Sequence, residues 1–208
     1  MKKLFLILLV IVAGFLVYKY AFKKEEAPHE KPKPIAVSAH SDVFNQSVDN
    51  VLNSYYAMTD AFVNWDSAAV NEKASVLKIA IDSVKVEELK ADPAIYETAL
   101  FPLENSKSSI DAITGSSVWE EKRRALQDLS ENLRMLLITV KYDQGTVYWQ
   151  ECPMAFGEGN VGNWLSVQEE IVNPYLGKAD PKYGATMLSC GETKEKIDFT
   201  VADSAAKQ

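Results

Sequence analysis

The sequence is poor in the residues that most often build metal and catalytic sites. Its 208 residues include two cysteines, Cys152 and Cys190, and two histidines, His29 and His40. The absence of Cys-x-x-Cys and His-x-x-x-His spacings argues against a zinc finger or a metalloprotease. Neither histidine is placed to act as the general base that a cysteine nucleophile needs, and we expect His40 to be solvated. The sequence therefore predicts a protein that is not an enzyme.

Positive charge is also scarce over most of the chain. Of the 22 basic and 29 acidic residues, seven basic and three acidic residues lie in residues 1–38. The remainder carries 15 basic and 26 acidic residues, a net charge of −11. Because nucleic acids are bound through basic patches, we expect no nucleic-acid partner.

Only one long apolar run is present, at the N-terminus. Two lysines precede an unbroken apolar stretch, Leu4–Tyr18, which continues after Lys19 to Phe22. A basic start before such a run is typical of export signals, and no clear cleavage site follows it. We expect residues 1–22 to be a membrane anchor, with a cleaved signal peptide as the alternative. The rest is then periplasmic, tethered to the inner membrane or secreted across it.

Composition divides the exported part into three regions. Residues 23–38 mix charges with three prolines, which predicts a flexible linker. Residues 39–200 have enough apolar content for one helical bundle domain. Within it, residues of about 141–192 are predicted to form a C-terminal Cys/Met cap, here called the C-terminal cap. Residues 201–208 are predicted to be a disordered tail.

Apolar residues spaced by three and four positions predict four amphipathic helices between residues 41 and 140. Pro102 predicts a kink or break in the third helix, and Gly115 closes it. Short connections between the helices favour an antiparallel four-helix bundle, so the predicted fold class is mainly α. Each predicted helix begins at a capping position: Ser41 or Asp42, Asp66 or Ser67, Asp92 before Pro93, and Ser117 with Glu120 in a capping box.

The pattern changes beyond Val140. Residues 146–150 are β-prone, and Gly, Pro and Asn then become frequent, which predicts that the C-terminal cap is irregular. Ser166 and Glu169 resemble a second capping box. They predict a helix of little more than one turn, which ends at Asn173 because a proline follows.

The C-terminal cap contains a glycine motif and several large side chains. Residues 157–162 match G-x-G-x-x-G, but no long helix follows as a dinucleotide-binding βαβ unit requires, so we predict a loop. Five residues are predicted to fill the interior of the C-terminal cap: Trp149, Trp164, Asn173, Pro174 and Tyr175.

Four sulfur-containing side chains, Cys152, Met154, Met187 and Cys190, also fall in the C-terminal cap. Thiolates and thioethers form soft sites that prefer Cu(I), so these four residues are the candidate metal ligands. The two cysteines could instead form a disulfide in an oxidising compartment. Closing a loop of about 38 residues would stabilise the fold by roughly 4 kcal/mol. Met154 is equally explained as a core-packing residue, so the alternatives remain open.

Four short motifs in the C-terminal cap are distinctive: Cys-Pro-Met-Ala at 152–155, Gly-Asn-Trp-Leu-Ser at 162–166, Glu-Ile-Val-Asn-Pro-Tyr-Leu-Gly at 170–177 and Met-Leu-Ser-Cys-Gly at 187–191. With Glu-Lys-Arg-Arg-Ala-Leu at 121–126, they resemble a family of uncharacterised exported domains, domain of unknown function 3347. A similar domain is fused to the C-terminal end of periplasmic adaptor subunits of heavy-metal (copper/silver) efflux pumps. The resemblance implies a periplasmic helical bundle associated with metal handling.

The chain departs from the family pattern at two places. Residues 178–184 look like an insertion, and Leu176 stands where the family usually has an aromatic residue. We interpret the chain as a non-catalytic soft-metal (Cu(I) or similar) binding or efflux-accessory domain. The alternative is a disulfide-stapled protein-interaction module of the cell envelope without metal. The expected partner is an efflux-complex or other envelope protein, and the N-terminal segment is expected to contact the membrane.

Overall fold

The computed structural model describes residues 40–200. The predicted anchor, linker and disordered tail lie outside the described residues. Within residues 40–200, no helix is both long and apolar enough to cross a membrane.

The described residues are mainly helical, with a small sheet near the C-terminal end. Two short 3-10 helices, Val86–Ala91 and Ala185–Met187, join longer elements. The helices and strands in chain order are α1 (Asp42–Val63), α2 (Ser67–Asp82), α3 (Pro93–Gly115), α4 (Trp119–Val140), β1 (Val147–Cys152), β2 (Gly162–Ser166) and β3 (Glu192–Ile197).

The first three helices begin at the predicted capping residues. Ser41 and Asp66 each accept a hydrogen bond from the backbone N–H three residues further on. Asp92 accepts two such bonds from the first turn of α3, directly before the proline at its first position. These side chains satisfy N–H groups that have no partner within the helix, which is why the helices start there.

Of the kink or break predicted at Pro102, the break is wrong. α3 is assigned as one helix from Pro93 to Gly115, with Pro102 inside it. Pro102 lacks the N–H that an interior helical residue normally donates. Its side chain is nevertheless buried, and the Ser106 hydroxyl donates to its carbonyl oxygen over 2.7 Å. Burial of this face of α3 in the core outweighs the loss of one hydrogen bond.

The predicted capping box at Ser117 and Glu120 is also wrong. α4 begins at Trp119, so Val118 occupies the N-cap position and makes no side-chain cap. The Ser116 hydroxyl accepts from the Val118 N–H and donates to Glu121. Ser117 therefore lies one residue too early to cap the helix.

A buried lysine joins α2, α3 and α4. Lys122 is 1% exposed, and its ammonium donates to Asn71 Oδ1 over 2.6 Å and to the Ile113 carbonyl over 2.5 Å. Ile113 lies in the last turn of α3, where carbonyl groups lack helical partners and favour a cation. Burial lowers the pKa of Lys122.

The C-terminal cap is not irregular as predicted, because it contains a three-stranded antiparallel sheet in the order β2-β1-β3. β1 lies in the centre, and Trp149 is opposite Leu165 on one side and Glu195 on the other. β3 alternates glutamate, lysine and threonine, and most of its residues are exposed or half-buried. Charged side chains on an edge strand discourage pairing with other chains, but they leave no apolar alternation from which to predict a strand.

Side chains of the helical region, together with Tyr175 of the C-terminal cap, cover the outer edge of β2. The Leu165 N–H donates to the Tyr55 hydroxyl over 3.2 Å, and the Asn163 N–H donates to Gln127 Oε1. The Tyr175 hydroxyl donates to the Asn163 carbonyl. These bonds take the place of a neighbouring strand and satisfy backbone groups that would otherwise be buried without partners.

The short helix predicted after Ser166 is absent. β2 ends at Ser166, and residues 167–173 contain bends but no helix. The Ser166 hydroxyl accepts from the Gln168 N–H, which makes a local turn, and Glu169 pairs with Lys196 of β3. Residues 157–161 of the glycine motif lie in the connection between β1 and β2, as predicted, and its last glycine, Gly162, begins β2.

Candidate functional site

The two cysteines lie side by side. Cys152 is the last residue of β1 and is fully buried, whereas Cys190 precedes β3 and is partly exposed. Their Sγ atoms are 3.5 Å apart, and both are free thiols. The structure therefore brings together two of the four predicted sulfur ligands, although they are separated by 38 positions in the chain.

Gly191 allows this close approach. Antiparallel pairing sets Glu151 opposite Glu192, so Cys190 is led towards the end of β1. Gly191 has φ of +146°, and a Cβ atom there would lie 2.6 Å from the Glu151 carbonyl oxygen. A side chain at this position would push the two backbones apart, and the thiols with them.

Asn173 holds the backbone around Cys190. It is fully buried, and its Nδ2 donates to the Cys190 carbonyl over 2.8 Å. Its backbone N–H donates to the Leu188 carbonyl over 2.8 Å. Its Oδ1 accepts from the N–H groups of Tyr175 and Leu176 over 2.8 and 3.1 Å. One side chain thus fastens the 188–190 segment to the turn that follows Asn173.

The turn that follows Asn173 is held by α4 and by the residue that follows α1. Arg123 of α4 donates through Nη1 to the carbonyl groups of Tyr175 and Ala155 over 2.9 and 3.2 Å. Trp65, which follows α1, donates from Nε1 to the Leu176 carbonyl over 3.0 Å. The backbone that carries the thiols is therefore positioned by the helical core.

The environment of the thiols disfavours a free thiolate. Burial, followed by the hydrogen bond and charge of Cys152, raises the pKa of Cys190 to about 11. Within residues 40–200, no group of three or more His, Cys, Asp or Glu residues could hold a metal ion. Thioethers are the soft donors that could add to two thiolates, and Met154 and Met187 are the methionines near the cysteines in sequence.

The two predicted thioethers lie between the cysteines along the chain, Met154 two positions after Cys152 and Met187 three positions before Cys190. Met154 and Met187 are partly buried and pack against the core. The Cys190 N–H donates to the Met187 carbonyl over 3.0 Å, and the Gly157 N–H to the Met154 carbonyl over 3.2 Å, so each methionine begins a tight turn. These contacts fix the methionine backbones rather than the positions of the sulfur atoms.

The thiol pair is spaced suitably for one metal ion. Two sulfur atoms that each lie about 2.3 Å from an ion with tetrahedral geometry are about 3.8 Å apart. The observed separation of 3.5 Å is close to this value, and a small change in a cysteine side-chain rotamer would make up the difference. The same pair would need to approach to about 2.05 Å to form a disulfide.

Gln150 is a feature that the sequence did not single out. It is fully buried on β1, and its Nε2 donates to the Gln168 and Glu169 carbonyls over 3.0 and 3.1 Å. Its Oε1 is buried without a hydrogen-bond partner in the part of the chain that the structure describes. Alternate residues of a strand share a face, so Gln150 lies on the same face as Cys152. The signal in the sequence that could have pointed to Gln150 is its position at the end of the β-prone residues 146–150, two positions before Cys152.

The other predicted residues lie as follows. His40 is partly exposed rather than fully solvated, with its Nε2 2.6 Å from the Val140 carbonyl and its ring 4.6 Å from that of Phe44. The five residues predicted to fill the C-terminal cap are all buried: Trp149, Trp164, Asn173, Pro174 and Tyr175.

Comparison with known proteins identifies a family for part of the chain. Residues 51–145 match the family described as "Protein of unknown function (DUF3347)". The matched segment extends from α1 to the turn before β1, so all four sulfur-containing residues lie outside it. No curated protein and no solved structure gives a significant match.

Proposed function

We propose that this chain is a non-catalytic, soft-metal-binding accessory domain of the periplasm and that it binds Cu(I). The observation that carries the proposal is the 3.5 Å separation of the Cys152 and Cys190 sulfur atoms. Two thiolates at this spacing can share one ion without a large rearrangement.

The donor set favours a soft ion. Hard ions such as Mg²⁺ and Ca²⁺ take oxygen ligands, whereas thiolates and thioethers suit Cu(I). In the proposal, Cys152 and Cys190 supply two thiolates, and Met154 and Met187 complete the coordination. A bound cation stabilises the thiolates and thereby offsets the burial that raises the pKa of Cys190.

The proposal extends to architecture and location. We propose that the four helices form an antiparallel bundle. Two ion pairs between α2 and α3 support it: Lys78 pairs with Asp111, and Asp82 pairs with Lys107. The later residue of α2 meets the earlier residue of α3, as in antiparallel helices. The bundle is attached to the inner membrane through the N-terminal segment and serves a heavy-metal efflux complex as its accessory.

A Cu(I) titration of the reduced, full-length chain against a competing chelator tests the proposal. We expect one ion per chain with micromolar or tighter affinity. Cys152→Ser combined with Cys190→Ser should abolish binding, and Met154→Ala combined with Met187→Ala should weaken it about tenfold or more. Met135→Ala is the matched control, because Met135 is an exposed methionine of α4. Undiminished binding without the cysteines would refute the proposal.

A second candidate function follows from the same geometry. Two adjacent cysteines, one of them fully buried, also fit a structural disulfide in an exported protein. The chain would then be a disulfide-stapled interaction module of the cell envelope without a metal. Thiol counting on chain isolated from the periplasm separates the two functions, since the module predicts that no free thiol remains.

A further inference from the structure

The two cysteines of the thiol pair differ in their exposure to solvent. Cys152 is 0% exposed at the end of β1, whereas Cys190 is partly exposed between the exposed residues Ser189 and Glu192. Of the two residues, Cys190 is therefore the more accessible to a disulfide bond of another molecule. Thiol reactivity follows both access and the fraction of thiolate, and burial keeps that fraction low at Cys190 by raising its pKa, so access is the factor that favours Cys190.

We infer that the pair exchanges with an accessible disulfide of another molecule, that Cys190 reacts first, and that Cys152 resolves the mixed disulfide. This inference rests on the proposed function, because it assigns a redox control to the same site. The class of reaction partner is a solvent-exposed disulfide, either of a protein or of a small molecule such as oxidised glutathione.

The exchange takes place in two balanced steps. First, the Cys190 thiolate attacks one sulfur of the external disulfide, forms a mixed disulfide, and releases one external thiolate. Second, the Cys152 thiolate attacks Cys190 Sγ, forms the Cys152–Cys190 bond, and releases the second external thiolate. Each cysteine gives up one proton, and the two electrons lost by the pair reduce the external disulfide.

The 3.5 Å separation makes the second step rapid. Reacting atoms held at about 3–3.5 Å are close to an attacking arrangement and need no encounter from solution. Asn173 keeps the sulfur of Cys190 within this reach, because its Nδ2 holds the Cys190 carbonyl and its Oδ1 holds the following turn. The mixed disulfide should therefore be short-lived.

Oxidation of the pair has a direct consequence for the proposed metal site. Two sulfur atoms joined to each other no longer provide thiolates, so the soft ion loses its two strongest ligands. The ion would be held under reducing conditions and released when an external disulfide oxidises the pair. The site would thus respond to the redox state of its compartment.

Oxidised glutathione is a suitable probe, with the full-length reduced chain as substrate and intact mass spectrometry as the readout. Wild type should form the internal disulfide and accumulate no glutathione adduct. Cys152→Ser, or Cys152→Ala if the serine variant does not fold, should accumulate one adduct at Cys190. In Cys190→Ser, the buried Cys152 should react at least about tenfold more slowly than Cys190 does in Cys152→Ser, because reactivity follows exposure. In urea this difference should disappear.

Two outcomes would overturn the inference: equal adduct rates for the two folded variants, or a stable adduct on wild type. A Cu(I) titration before and after oxidation keeps the two proposals separate. Rapid exchange without any Cu(I) binding refutes the metal function alone. Cu(I) binding that oxidised glutathione leaves unchanged refutes the redox control alone.

Discussion

Replacing Asn173 by alanine should destabilise the fold by about 3 kcal/mol. The substitution removes three side-chain hydrogen bonds, one to the Cys190 carbonyl and two from the N–H groups of Tyr175 and Leu176. Each is worth about 1 kcal/mol net, and more where the abandoned partner stays buried. Tyr175 and Leu176 are both buried, so water cannot easily replace the lost acceptor.

Urea unfolding of the reduced chain, followed by tryptophan fluorescence, measures this loss. With a slope of about 2 kcal/mol/M, the midpoint should fall by about 1.5 M. Asn173→Asp should be similarly destabilised, because it places a carboxylate oxygen against the Cys190 carbonyl. Asn160→Ala is the control, since Asn160 is exposed and its side chain makes one bond, to the Glu158 carbonyl. A loss below about 1 kcal/mol for Asn173→Ala would refute the role given to this residue.

Three further predictions follow. Because burial raises the pKa of Cys190 to about 11, its alkylation rate should rise about tenfold per pH unit up to that value, and levelling off near the ordinary value of 9.0 would contradict this. Gly191→Ala should cost about 2 kcal/mol in urea unfolding and slow formation of the internal disulfide. Gly184→Ala, at φ of +57° with open space around it, should cost less and leave that rate unchanged. The unfolded chain holds the proton of Lys122 more tightly than the folded chain, so deprotonation favours folding. The unfolding free energy of wild type minus that of Lys122→Met should therefore increase with pH towards 10.5, and a decrease would contradict it.

The helical part of the fold could be predicted because its determinants are local. Apolar residues at helical spacing and capping side chains such as Ser41 and Asp66 act within a few positions of the chain. Pro102 was misinterpreted because its tolerance depends on burial against other helices. β3 could not be predicted, because its glutamate and lysine residues reflect an exposed edge rather than a buried face.

The candidate site divides in the same way. The pairing of Cys152 with Cys190 could be anticipated, since no other cysteine is available in the sequence. The supporting role of Asn173 could not, because its partners at positions 188 and 190 become its neighbours only when the C-terminal cap folds. Arg123 was part of the motif at 121–126 that resembles the family, and nothing local indicates that its guanidinium holds two distant carbonyls.

The sealed edge of β2 limits how this domain can be divided or recombined. The segment that matches the family model, residues 51–145, contains Tyr55 and Gln127 but not β2, whose N–H groups donate hydrogen bonds to these two side chains. A chimera that borrows only those residues would leave both acceptors facing an exposed gap beside α4. The helices and the sheet must therefore be transplanted together, and a host protein that carries the helices alone has to supply its own covering strand.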